Sequence, residues 1–172
     1  MEKYKAGAST EVRVRYSDHV IAALGAFPET ALMAPDFEAT TGELEAAGTA
    51  TATAERAVTR ARPRLTVADY FMDVEIRAYA NMVEIADGSR RGPLFNALFP
   101  DGVGPVVAPG GSKQLPATDA LIKRVSDSRV PGIEGLRGEP LAKVVMRRTG
   151  LADAITTVAT ARKAWLDAFG VE

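Results

Sequence analysis

Apolar and small residues recur with a three-four spacing over the stretch from Phe37 to Ala86. The a positions of this heptad pattern are Phe37, Leu44, Thr51, Val58, Leu65, Met72, Tyr79 and Ala86, and the d positions are Thr40, Ala47, Ala54, Ala61, Ala68, Glu75 and Met82. Such a repeat is typical of a long helix that packs against other helices at a shallow angle. At a rise of about 1.5 Å per residue, the helix would be roughly 75 Å long.

Pro63 is the weak point of this predicted helix. An interior proline removes one backbone hydrogen bond and clashes with the preceding turn, and Thr66 with Asp69 could begin a new helix. The heptad register nevertheless passes through Pro63 unshifted and places it at an f position, on the solvent side. We therefore expect one helix, kinked near residues 60–63, with two separate helices as the alternative.

The rest of the chain predicts three further helices and one irregular connection. With the long helix at residues 36–87, the others are expected at residues 10–33, 112–128 and 139–169. Glycines and prolines give successive turn signals through residues 88–111. Residues 1–9 are small and polar, and we expect them to be loose. The predicted fold is all-α: a single domain of residues 1–172, folded as an up-and-down bundle of four helices.

Composition agrees with this class and excludes several kinds of chemistry. The chain has 172 residues, of which 47% are hydrophobic and 25% charged, and its formal net charge is −1. A nearly neutral chain has no general attraction to nucleic acid. Cysteine is absent, which excludes disulfides, zinc–thiolate sites and thiol catalysis. No apolar run approaches the ~18–20 residues of a membrane span. The N-terminus also lacks the apolar segment of a signal peptide, so we expect a cytoplasmic protein.

Catalytic and metal-binding motifs are not evident. Carboxylate-bridged metal sites in helix bundles need two Glu-x-x-His motifs, whereas His19 is the single histidine. His19 has no serine and acid at a recognisable spacing, and we expect it at the surface. Asp69 and Asp73, four residues apart, could hold a cation, but their e and b positions favour a solvated pair. Phosphate-binding glycine motifs are also missing. We therefore predict no enzyme activity, metal or cofactor.

Three charged residues occupy positions where the pattern predicts burial. Glu75 lies at a d position of the long helix, and Arg148 and Arg162 lie in the apolar seam of the last helix. Because an unpaired buried carboxylate is costly, we expect Glu75 to pair with one of these arginines. The pair could fix the register of the helices, or it could line a pocket for an anion or a metabolite.

Charge is segregated along the long helix. Six acidic residues and no basic ones lie between Glu29 and Glu55, and four arginines then follow without an acid between them: Arg56, Arg60, Arg62 and Arg64. The acidic and basic segments could match each other within the chain, or the arginines could form a docking surface for another protein. A nucleic-acid surface would have aromatic residues interleaved with the arginines, and they are missing here.

These observations predict a structural or protein-interaction module that acts in a larger assembly through a protein partner or through self-association. The alternative is a bundle that binds or senses a small molecule. Its cavity would be lined by Met72, Glu75, Tyr79, Arg148 and Trp165.

Overall fold

The computed structural model describes residues 9–170. Over this range the regular structure consists entirely of helices, which confirms the predicted all-α class. The up-and-down packing of four helices stays a prediction. The expected loose segment of residues 1–9 lies outside the described residues except for Ser9, which precedes the first helix.

Seven α-helices and two short 3₁₀ turns follow one another along the described chain. The α-helices are α1 (Thr10–Gly25), α2 (Ala34–Asp87), α3 (Pro93–Leu98), α4 (Gly104–Val107), α5 (Gln114–Asp127), α6 (Glu134–Arg137) and α7 (Glu139–Phe169), and the 3₁₀ turns are Ala31–Met33 and Gly111–Lys113. The four longest helices lie where four helices were expected, although α1 ends at Gly25. The short helices α3, α4 and α6 occupy the connections.

The long helix α2 continues through Pro63. Pro63 is exposed, in agreement with its predicted position on the solvent side. The alternative of two separate helices is therefore wrong, and the kink stays a prediction.

The chain divides into two compact units, which we describe separately. Unit 1 is Met1–Val58 together with Ala161–Glu172, and unit 2 is Thr59–Thr160. This division does not decide how many domains the chain forms, and the single domain expected from the sequence stays a prediction. The helices α2 and α7 each contribute residues to both units.

Unit 2 contains a continuous hydrophobic core. Its fully buried side chains come from α2, from the short helices of the connections, and from α5 and α7; the largest are Met72, Ile76, Tyr79, Leu94, Leu98, Phe99, Leu121 and Leu151. The apolar stretch at residues 94–99 thus belongs to this core. The Gly- and Pro-rich connection of residues 88–111 is folded rather than open, because its apolar residues are buried.

The buried face of α2 in unit 2 departs from the strict heptad. Met72, Ile76, Tyr79 and Val83 are fully buried, and their spacing of four, three and four residues follows the 3.6-residue turn of a helix. An untwisted helix drifts by ~20° per heptad against a 3.5-residue repeat. Ile76 therefore takes the central position that the heptad assigned to Glu75.

Unit 1 buries much less of its apolar surface. Helix α1 has no buried residue, and in the described part of the α2 segment only Thr41 and Val58 are buried. Thr41 is accommodated because its hydroxyl donates a hydrogen bond to the Phe37 carbonyl, at 2.7 Å. Large apolar side chains, among them Phe27 and Leu32, remain exposed between α1 and the start of α2.

Candidate functional site

Glu75 forms an ion pair with Arg147 and with neither of the two arginines expected from the sequence, Arg148 and Arg162. Its side chain is 15% exposed, and Oε2 lies 3.9 Å from Nε of Arg147 on α7. Arg148 instead contacts Asp119 of α5 through two hydrogen bonds of 2.8 Å, which raise the pKa of its guanidinium. Consecutive residues of a helix point about 100° apart, so the two arginines meet different partners. Arg162 belongs to unit 1, where it is exposed.

Arg147 is held by an aromatic ring as well as by Glu75. Its guanidinium carbon lies 4.9 Å from the centre of the Phe71 ring, within the range of a cation–π contact. The Nε atom is buried and has no hydrogen-bond partner, since 3.9 Å is too long for a hydrogen bond to Glu75. Part of the Arg147 side chain nevertheless reaches the surface. The residue therefore presents a positive charge that its neighbours only partly satisfy.

Phe71 and Arg147 line a surface groove within unit 2. The groove lies between α2 and α7, has a volume of about 530 Å³, and is lined by Pro63, Arg64, Val67, Ala68, Phe71, Met146, Arg147 and Gly150. Val67 and Met146 are 52% and 57% exposed. Apolar side chains that line a concave surface provide contacts for an apolar ligand or partner. The groove is thus apolar along its length and carries an arginine from each helix.

The arginines predicted as an interaction surface are exposed. Arg60, Arg62 and Arg64 form no ion pair with another described residue of unit 2. Arg60, Arg64, Val67 and Phe71 are spaced by four, three and four residues, which places them on one face of α2. The exposed guanidiniums of Arg60 and Arg64 therefore continue the apolar groove along α2. Arg56 lies in unit 1 and is also exposed.

Asp69 and Asp73 are not the solvated pair that the heptad predicted. Asp69 accepts a hydrogen bond of 2.6 Å from the Gly111 amide, and Asp73 accepts one of 2.5 Å from Nε2 of Gln114. Both carboxylates are partly buried and satisfy donors at the start of α5. Their position at the side of the buried stripe, next to Met72, explains why they meet α5. Sequence spacing alone could not distinguish this structural role from cation binding.

The part of the chain that the structure describes offers no arrangement of three or more histidine or carboxylate side chains able to hold a metal ion. His19 is exposed on α1. Among the helices of residues 9–170, none combines the length and apolar character required to cross a bilayer. The cytoplasmic location stays a prediction.

Comparison with known proteins gave no match, either to a protein-family model, to a curated protein or to a solved structure.

Proposed function

We propose that this protein is a non-enzymatic interaction module that binds an acidic, amphipathic helical segment in the groove of unit 2. The observation that supports the proposal most directly is that exposed apolar side chains lie on the same surface as the guanidiniums of Arg64 and Arg147. Val67, Phe71 and Met146 would receive the apolar face of the segment, and Arg64 and Arg147 would contact its acidic flanks. The role would be that of a component in a larger assembly.

Physical chemistry favours a protein segment over other occupants. Docking of an amphipathic helix removes apolar surface from water, and an apolar groove between two helices provides the matching shape. Charges at the rim of an interface mainly select the partner and accelerate association. The arginines would therefore exclude basic segments, while the groove would supply most of the affinity.

Titration with a pair of matched synthetic helices would test this proposal. One peptide carries leucines at helical spacing flanked by glutamates, and the other carries lysines at the glutamate positions. Amide NMR spectra of the full chain should show shifts for residues 64–71 and 146–150 with the acidic peptide, and much weaker shifts with the basic one.

A groove variant provides the control for this titration. Met146→Glu places a like charge beside the acidic peptide at an exposed site, so the fold should be retained and the affinity should fall at least about tenfold. Val145→Glu, at an exposed neighbouring residue that does not line the groove, is the matched variant. Shifts spread evenly over the chain, or equal binding of both peptides, would contradict the proposal.

A second candidate function is the binding of an anionic small molecule in the same groove. Its volume of about 530 Å³ lies within the range of ligand pockets. The cavity that the sequence suggested beside Met72 and Tyr79 is a less suitable place, because both side chains are fully buried in the core. A small-molecule site would show a rise in melting temperature with a low-molecular-weight anion and no response to the acidic helix.

A further inference from the structure

An exposed corner of unit 1 combines apolar side chains with negative charge, which is the combination that the groove would bind. We call it the acidic corner; it covers residues 27–38, between the end of α1 and the first turns of α2. Its exposed apolar side chains are Phe27, Leu32, Met33 and Phe37, of which Phe27 is 61% and Leu32 is 89% exposed. Its acidic side chains are Glu29, Asp36 and Glu38, and it contains no basic residue.

Local structure keeps the apolar residues of the acidic corner at the surface. Helix α1 ends at Gly25, and the Thr30 hydroxyl donates a hydrogen bond of 2.8 Å to the Leu24 carbonyl, which ties the turn to the end of α1. The 3₁₀ turn Ala31–Met33 then leads directly into α2. Leu32 and Met33 are therefore held on a short, ordered turn and point away from the interior of unit 1.

The acidic side chains of this corner are not neutralised within unit 1. Glu29, Asp36 and Glu38 are exposed and form no ion pair with another described residue of that unit. The groove of unit 2 presents the opposite combination, with exposed Val67 and Met146 beside the exposed arginines Arg60 and Arg64 of α2. Each surface thus exposes apolar area next to one sign of charge, and the two signs are opposite.

We propose that the occupant of the groove is a second copy of this chain, which inserts its acidic corner between α2 and α7 of unit 2. This inference rests on the proposed function and names the partner. Leu32 and Met33 of one copy would contact the apolar floor of the groove in the other. Glu29 and Glu38 would face Arg60 and Arg64 across the interface. Because these charges are exposed, the association should weaken as salt screens them.

A charge-swap experiment with the full chain tests the proposal. Sedimentation velocity at low salt should show association of the wild-type chain, and the double variants R60E/R64E and E29K/E38K should each raise the dissociation constant by about tenfold or more. Mixing the two variants should restore association, because each altered surface then meets its complement on the other chain. Asp36 is left unchanged, since an acid in the first turn stabilises the start of α2.

The control is R91E/R129E, which reverses two exposed arginines of unit 2 away from the groove and changes the net charge by the same amount. It should associate like the wild type. Circular dichroism should show that all variants keep their helical content. A control that dissociates like R60E/R64E would show that net charge is responsible, and it would overturn the proposal.

Failure of this inference is distinguishable from failure of the proposed function. A wild-type chain that stays monomeric at all concentrations, while its groove still binds the acidic synthetic helix, would exclude the second copy and leave the interaction module intact. A chain that neither associates nor binds the acidic helix would overturn both. If each double variant fails to associate alone and the mixture of the two also fails to associate, these two surfaces do not pair.

Discussion

At the residue scale, the core of unit 2 depends on a buried tyrosine. Tyr79 is fully buried, and its hydroxyl donates a hydrogen bond of 3.3 Å to the Leu136 carbonyl. Burial raises the pKa of the Tyr79 hydroxyl above its ordinary value of 10.0, and the positive charge of Arg137 offsets only part of this effect. The neutral side chain is therefore compatible with the core, whereas the phenolate is not.

This raised pKa has a consequence for stability at alkaline pH. Unfolded Tyr79 loses its proton near pH 10 while folded Tyr79 keeps it, so the unfolded state binds fewer protons and stability falls as pH rises above 10. Below pH 10 the contribution of Tyr79 is fully present. Tyr79→Phe should cost about 1 kcal/mol at neutral pH through the lost hydrogen bond and should reduce the decline above pH 10.

Urea unfolding of the wild-type and Tyr79→Phe chains at neutral and alkaline pH would measure this difference. Tyr70→Phe is the matched control, because Tyr70 is exposed on the same helix. An identical decline in both variants would show that burial of Tyr79 is not responsible.

The ion pair of Glu75 was predicted only in part from the sequence. Its need for a cation followed from the cost of an unpaired buried carboxylate, and a cation is present. The identity of that cation depended on the rotation of α7 about its own axis, which brings Arg147 rather than Arg148 to Glu75. A weakly periodic helix with two arginines in its apolar seam does not determine that rotation by its sequence.

At the element scale, side chains from other elements form hydrogen bonds with backbone groups next to both ends of α5. Asp69 of α2 accepts a hydrogen bond from the Gly111 amide before α5, and Arg137 of α6 donates to the carbonyls of Val125, Ser126 and Ser128 at its end. Helix ends leave backbone donors and acceptors without partners, so such contacts stabilise α5 in its position. None of these pairs has a local sequence signature, because the partners are at least nine residues apart and belong to different turns of the chain.

Pro63 allows a test of the long helix at the same scale. Because α2 continues through this residue, the proline removes a backbone hydrogen bond that alanine would restore. Pro63→Ala should stabilise the protein, by up to about 3 kcal/mol, and raise its helical circular dichroism signal slightly. Urea unfolding would measure the change, with exposed Arg62→Ala as the matched control. Loss of stability in Pro63→Ala would contradict this expectation and show that the proline itself stabilises the protein.

At the scale of the whole molecule, burial is unevenly distributed between the two units. Unit 2 contains the hydrophobic core, whereas α1 has no buried residue. Backbone amides exchange with solvent through local opening, and opening costs little where few apolar contacts are lost. The two units should therefore differ in the free energy of local opening.

Hydrogen exchange should reveal this difference directly. Amides of α2 from Met72 to Val83 should exchange more slowly than those of α1 by at least about a hundredfold, which corresponds to a difference of ~3 kcal/mol in opening free energy. Mass spectrometry of peptic fragments would measure both segments in one experiment. Equal protection of α1 and of the Met72–Val83 segment would contradict this distribution of stability.

The sequence by itself determined the helical class and the approximate positions of the four longest helices. These properties follow from local periodicity, helix signals and charge, which act over a few residues. Only the tertiary structure decided which face of α2 is buried, that Arg147 pairs with Glu75, and that Met146 of α7 forms a groove with Val67 and Phe71. Those features depend on the rotation and approach of helices far apart in the chain, which no local pattern specifies.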